Sequence, residues 1–239
     1  QMSVDEQALF PQWSDDERAS ISVEQLLQMS SGLGFDETYA PGHDATRMLF
    51  LAHSASDVAL ESPQLQPPGE HFYYSSGTTN LLQRLMFDRL GGLQGSVDFL
   101  YEKIFQPLAM THSILEPDPS GVFVGSSYIY ASGRDWARLG SLMLQRGTLN
   151  GVQIVDPAWV ERAQSPNHSL NDKRYGYQFW LNDGEEALRW PQLPADAYAM
   201  MGNRKQVVMI IPSQDKVLVR LGWTSADYPM QENFAQLID

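Results

Sequence analysis

Past residue 174 the hydrophobic pattern of this chain changes period, and that change constrains the fold more than any other feature. Upstream, apolar residues recur three and four positions apart, which places them on one face of a helix. Downstream, "YGYQFWLN" (175–182) alternates, and "AYAMM" (197–201) is a short β-type run closed by Gly202. "QVVMIIP" (206–212) and "KVLVRLG" (216–222) flank Ser213-Gln214-Asp215, a hairpin signal. A helical segment followed by an antiparallel sheet is an α+β layout. The expected division is a mainly helical domain over 1–165 and an antiparallel-sheet portion over 166–239.

The helix boundaries carry their own chemistry. Ser22 and Gln25 have capping-box spacing, Val23, Leu26, Leu27 and Met29 form the apolar face, and Gly32 suits the left-handed stop. One helix is predicted over 44–61, ending before Pro63. Another is predicted over 78–90, with Leu81, Leu82, Leu85 and Met86 at helical spacing and Gly91-Gly92 as the stop. Residues 96–106 give a fourth, halted by Pro107. Ser132 and Asp135 open a fifth, which runs through Trp136, Leu139, Leu142 and Met143 to Gly147. Residues 157–164 read as a short sixth, and "QENFAQLID" as a terminal helix.

Composition excludes several function classes. A chain of 239 residues is long enough for a sizeable core. Its 6 Trp, 10 Tyr and 10 Phe supply more apolar surface than a disordered chain carries. A net charge of −13 with no basic run disfavours nucleic acid as a partner. With 0 Cys, disulfides, thiolate catalysis and cysteine-ligated metals are excluded. No apolar run approaches the ~18 residues of a membrane span. The opening "QMSVDEQALFPQW" starts mid-pattern, without a signal peptide, and reads as a processed or truncated N-terminus. None of this assigns a compartment.

The familiar catalytic motifs are missing or misplaced. His43, His53, His71, His112 and His168 show no metal-ligand spacing, so no metal is expected, and no cofactor loop is present. There is no Gly-x-Ser-x-Gly elbow. Asn167-His168-Ser169 fits a glycosylation sequon of a kind common by chance. Ser213-Gln214-Asp215-Lys216 has Ser-x-x-Lys spacing, but that chemistry needs a helix start with both side chains on one face. Between two strands it reads as a polar turn.

"PPGEHFYYSSGTTNLLQRLM" (67–86) places two phenols and two hydroxyls between a turn and a helix. Together with "SVEQLLQMSSGLGFDE", "IFQPLAMTHSILEPDPSG", "GSSYIYASGRDWARLGSLMLQRGTLNGVQIVDPAWV" and "RYGYQFWLN", in this order, it resembles the class C β-lactamase-related serine hydrolases. That group includes penicillin-binding proteins, esterases, D-aminopeptidases and hydrolases of 6-aminohexanoate oligomers. "DPSGVFVGSSYIYASGRDWARLG" is most similar to the last branch. The resemblance implies a β-lactamase/transpeptidase-like fold: a helical domain inserted into an α/β domain, with the site in the cleft between them. It also implies catalysis by an acylated Ser, a Lys one turn later, a Tyr and an oxyanion hole.

Carried onto this chain, the resemblance assigns the Tyr to Tyr74. A phenol with an ordinary pKa of about 10 is lowered beside an ammonium and can then relay protons. Ser76 stands where the family's loop has Asn. Tyr73 either lines the pocket or packs in the core. Gly202 aligns with the Gly of the cleft-lining strand, and Asn203 then supplies the backbone N–H for the oxyanion. Met200 and Met201 replace a polar pair, which favours an amidase or esterase over a β-lactamase. Lys205 either contacts a substrate carboxylate or belongs to a solvated turn.

On this reading the Ser-x-x-Lys helix and the remaining strands lie before Gln1. The fold is then incomplete, the chain is the C-terminal portion of a serine hydrolase, and alone it forms no acyl-enzyme. A bare sheet edge would favour a dimer. The expected activity of the intact protein is hydrolysis of a small amide or ester, a β-lactam being one candidate whose hydrolysis the sequence does not decide, through an acyl-enzyme and without a cofactor. The alternative is a catalytically inactive binding or assembly protein.

Overall fold

The structure is a computed structural model, and it describes residues 2–238. In chain order the helices are α1 (Val23–Leu27), α2 (Asp44–Phe50), α3 (Ala55–Leu60), α4 (Ser76–Leu90), α5 (Leu93–Leu100), α6 (Gly133–Leu144), α7 (Pro157–Ala163) and α8 (Met230–Ile238). The strands are β1 (Ser113–Leu115), β2 (Ile129–Ala131), β3 (Thr148–Leu149), β4 (Val152–Gln153), β5 (Trp180–Leu181), β6 (Tyr198–Gly202), β7 (Gln206–Ile211) and β8 (Lys216–Arg220). The chain divides into two compact units. The first holds Gln1–Leu100, Ile114–Tyr130 and His168–Asn171; the second holds Tyr101–Ser113, Ala131–Asn167 and Asp172–Asp239.

The first unit packs α1 to α4 around one apolar cluster. Trp13, Ile21, Leu26, Phe35, Met48, Leu81 and Leu85 lie at its centre, all buried. Each such side chain contributes about 2 kcal/mol by leaving water. The Ser22–Gln25 capping box forms at α1. Gly91 ends α4 in the left-handed region, at φ 78. The helix expected over 44–61 forms as two. Leu51 leaves helical geometry at φ −125. A second start is then stabilised by two side chains: Ser54 Oγ accepts from Asp57 N–H, and Asp118 accepts from Ala55 N–H at 2.7 Å. Capping over so long a sequence separation is invisible to a periodicity argument.

The second unit is built on the antiparallel sheet β5-β6-β7-β8. Its inner strand β7 reads "QVVMII" without alternation because both faces are covered. Val207, Met209 and Ile211 pack with Trp190 and with Phe234 of α8. On the other face α6 lies so close that a Cβ on Gly140 would meet Val217 at 2.6 Å and Val208 at 3.0 Å. The strand expected over 175–182 shrinks to Trp180–Leu181. Gln178 takes φ 64, Gly176 N–H donates to Phe179 O, and the backbone turns before it reaches the ladder.

The chain's own α6 and α8 cover the two faces of the sheet. The outer strand β8 is half-buried along its length. It ends in two cations: Lys216 donates to the carbonyls of Leu237 and Ile238, and Arg220 lies 3.9 Å over the Tyr228 ring. Charged ends of this kind blunt an edge strand.

Candidate active site

Of the residues singled out from the sequence, Tyr73, Tyr74 and Ser76 fall in the first unit, and Gly202, Asn203 and Lys205 in the second. The first group stands at the start of α4. Ser75 is the N-cap and accepts from Thr78 N–H. Ser76, the first helical residue, is held by a carboxylate that the sequence reading missed. Ser76 N–H donates to Glu37 Oε2 at 2.7 Å, and the Ser76 hydroxyl donates to Glu37 Oε1 at 2.5 Å. Tyr39 adds its phenol to the same Oε1 at 3.0 Å and lies 3.3 Å from Ser76 Oγ. A carboxylate at this position also meets the positive end of the α4 dipole.

Packing brings Glu37 there. Its neighbour Phe35 is buried against Gly77, where a Cβ would come within 2.5 Å of the Phe35 ring and 2.8 Å of Ala59. Glycine at 77 therefore admits the 35–39 segment to the helix start. Tyr73 is 53% exposed, so it is not a core residue, and its N–H donates to Met29 O. Tyr74 differs from the sequence expectation in its electrostatics. Burial, the Glu37 carboxylate and the Tyr39 phenol push it up to about 12. At neutral pH it is a proton-bearing phenol, not a phenolate.

The second group forms the loop between β6 and β7. Gly202 pairs with Gln206, so Asn203, Arg204 and Lys205 make the turn. Gly202 itself is extended at φ −124, and a Cβ there would meet only Gln206, at 3.3 Å. Its backbone does not require glycine. Arg204 and Lys205 sit in the left-handed region at φ 59 and 66, a conformation that costs each of them roughly 1–2 kcal/mol. Their surroundings hold them there. Asn203 Oδ1 accepts from Arg204 N–H, Arg220 donates to Lys205 O at 2.6 Å, and Arg204 stacks 5.2 Å over Trp223. Lys205 is exposed and borders a groove of about 300 Å³ lined also by Trp190, Met201, Val207, Tyr228 and Met230. Alternation along β6 sends Met200 to the opposite face from Met201.

Other motifs have structural employment. Ser213 Oγ donates to Asp196, while Lys216 donates to the carbonyls that end α8, so the Ser-x-x-Lys spacing forms no pair. Asn167 is buried, and its amide donates to Asp172 O and Tyr175 O, which leaves no room for a glycan. Burial of Asp135 would raise its carboxyl. Hydrogen bonds from His112 N–H, Arg138, Ser132 and Ser113 outweigh that and hold it below the ordinary range. Among the described residues no three His, Asp or Glu side chains gather as metal ligands, and no helix is long and apolar enough to cross a membrane.

The family model described as Beta-lactamase matches residues 8–235. The chain belongs to the beta-lactamase family. Because the match takes in the helical segment and the sheet alike, it overturns the reading of a C-terminal portion with an incomplete fold. The upstream Ser and Lys, and the inactivity inferred from their loss, are withdrawn with it. Solved structures give the same fold at low identity. A Bacillus anthracis protein assigned as a 6-aminohexanoate-dimer hydrolase is 18% identical with a TM-score of 0.77, over 99% of this chain and 65% of that one. A penicillin binding protein from Bacillus halodurans is 16% identical with a TM-score of 0.69, over 100% of this chain and 78% of that one. A family VIII carboxylesterase is 11% identical with a TM-score of 0.67, over 99% and 76%. The chain thus spans less than two thirds of the length of the Bacillus anthracis protein. The fold is hydrolase-like; Glu37 and Tyr39 carry no signal in the pattern of the sequence.

Proposed function

We propose that this member of the beta-lactamase family hydrolyses a small amide or ester. In this reading water adds to the substrate carbonyl and supplies the hydroxyl of the acid product, and the Asn203 N–H stabilises the oxyanion. Tyr74 gives its proton to the departing amine or alcohol as that bond breaks and regains one from the water, and Ser76 orders the loop beside Tyr74. Gly202 leaves β6 open to the acyl group, and Tyr73 and Lys205 contact the substrate. The observation that carries the reading is geometric: the Tyr74 phenol stands at the buried start of α4, beside Ser75 and Ser76, in a chain of this family. Burial and the Glu37 carboxylate raise the phenol, which makes it a weaker acid than an ordinary tyrosine, so it gives up its proton only to a strongly basic leaving group such as a departing amine or alkoxide. The names of the aligned structures, a 6-aminohexanoate-dimer hydrolase and a carboxylesterase, point to linear amides and esters as the first substrates to try.

A second reading, a catalytically inactive binding or assembly protein, is favoured by one observation. Glu37 takes both the amide and the hydroxyl of Ser76, groups a substrate would otherwise meet. Tyr74→Phe separates the two. Hydrolysis of p-nitrophenyl esters and 6-aminohexanoate dimers is expected to fall by about 10²–10⁴-fold. Unchanged rates, or no hydrolysis by the unaltered protein, favour the binder.

A further inference from the structure

We propose that Glu37 is a positioning residue for this site: its carboxylate ties the 36–45 loop to the first turn of α4 and so fixes the Tyr74-Ser75-Ser76 segment with Tyr74 as a proton donor. The inference rests on the proposed function only for the use made of Tyr74; the geometry stands by itself. Both carboxylate oxygens are engaged, Oε2 by the Ser76 amide and Oε1 by the hydroxyls of Ser76 and Tyr39. The first and third helical amides are thereby satisfied from two sides, Ser76 N–H by Glu37 and Thr78 N–H by Ser75.

The loop that delivers Glu37 is itself preorganised. Asp36 accepts from Thr38 N–H and pairs with His43 at 2.6 Å, and its own N–H donates to Asp44. Asp44 in turn pairs with Arg47. Phe35 is clamped on Gly77. A carboxylate held between two fixed segments cannot swing away, so its charge stays beside the phenol. Burial is the largest influence favouring the neutral form of Tyr74, and that carboxylate and the Tyr39 phenol act in the same direction. The same charge that meets the positive end of the α4 dipole also acts on Tyr74.

The test uses the whole protein labelled with ¹³Cζ-tyrosine, with the Tyr74 signal assigned by its loss in Tyr74→Phe. In the unaltered protein that signal keeps its neutral-phenol position to about pH 11, past the ordinary tyrosine midpoint of about 10. In Glu37→Gln, which keeps an acceptor oxygen but removes the charge, its titration moves to lower pH. Amide exchange at Ser76 rises by about tenfold, as expected when a charge-assisted bond is weakened. A folded Glu37→Gln whose Tyr74 titration is unmoved overturns the proposal. If Glu37→Gln does not fold, Glu37→Asp decides: one methylene less withdraws the carboxylate from Ser76, and unchanged exchange there overturns it. Neither readout needs activity. Loss of the hydrolase reading leaves this proposal intact, and its failure leaves the hydrolase reading intact.

Discussion

The start of α4 and the β6–β7 turn both carry residues expected to act on substrate, and they are built on opposite principles. At α4 the backbone is relaxed, and order comes from a carboxylate 39 positions upstream in sequence together with a phenylalanine packed on a glycine. At the turn one contact is local, Asn203 Oδ1 with Arg204 N–H, while Arg220 and Trp223 reach it from β8 and just beyond, and two consecutive non-glycine residues are left-handed. The first site is buried and relies on distant packing. The second is exposed and stores backbone strain, a feature that clusters at functional positions. The helix start should therefore be intolerant of added volume, while the turn should tolerate change in stability and respond in activity.

The largest effect expected is the loss of hydrolysis in Tyr74→Phe, about 10²–10⁴-fold in kcat/KM. Next is Gly77→Ala. Its new Cβ has no space between Phe35 and Ala59, so urea denaturation should show a loss of about 1–3 kcal/mol; an unchanged midpoint would mean that the clamp is looser than drawn. Relief of strain runs the other way. Lys205→Gly should raise stability by up to about 1 kcal/mol, since glycine enters the left-handed region without steric cost. Gly202→Ala should leave stability within about 0.5 kcal/mol, because its backbone is ordinary extended strand. If the acyl group approaches β6, the same change still lowers turnover by about tenfold or more; equal turnover removes Gly202 from the site.

The smallest effect concerns acid. The His43 partner, helped by Thr38, lowers the Asp36 carboxyl to about 2. A group depressed on folding adds stability that is present above its unfolded value of about 4 and is lost as pH falls towards about 2. Asp36→Asn should flatten the acid limb of a Tm-versus-pH curve in that window. An identical limb would show that the exposed pair contributes nothing.

Much of the architecture was legible in the residues themselves. The Ser22–Gln25 capping box, the glycine after Leu90, the Ser132 cap and the continuous apolar run of β7 are local signals that form as read, whereas Asp135 does not close a second box and turns its carboxylate to His112, Ser113 and Arg138. The break at 51–54 and the turn at Gln178 were not legible. They depend on Asp118, which approaches Ala55 from far along the chain, and on a left-handed glutamine that no propensity favours. The motif marks Tyr74 as a candidate, but the rise of its phenol above the ordinary tyrosine value, which comes from burial and from Glu37, was not legible.

By itself, then, the sequence determined the α+β layout, the order of the elements, the exclusion of thiol chemistry and membership in the beta-lactamase family, because caps, periodicity and motif order are encoded within a few residues of one another. Only the tertiary structure decided that Glu37 and Tyr39 gather on Ser76 and that the Tyr74 phenol is raised above the ordinary tyrosine value. Burial and Coulomb interaction depend on distance in space, and residues 37 and 76 become neighbours only after the chain has folded.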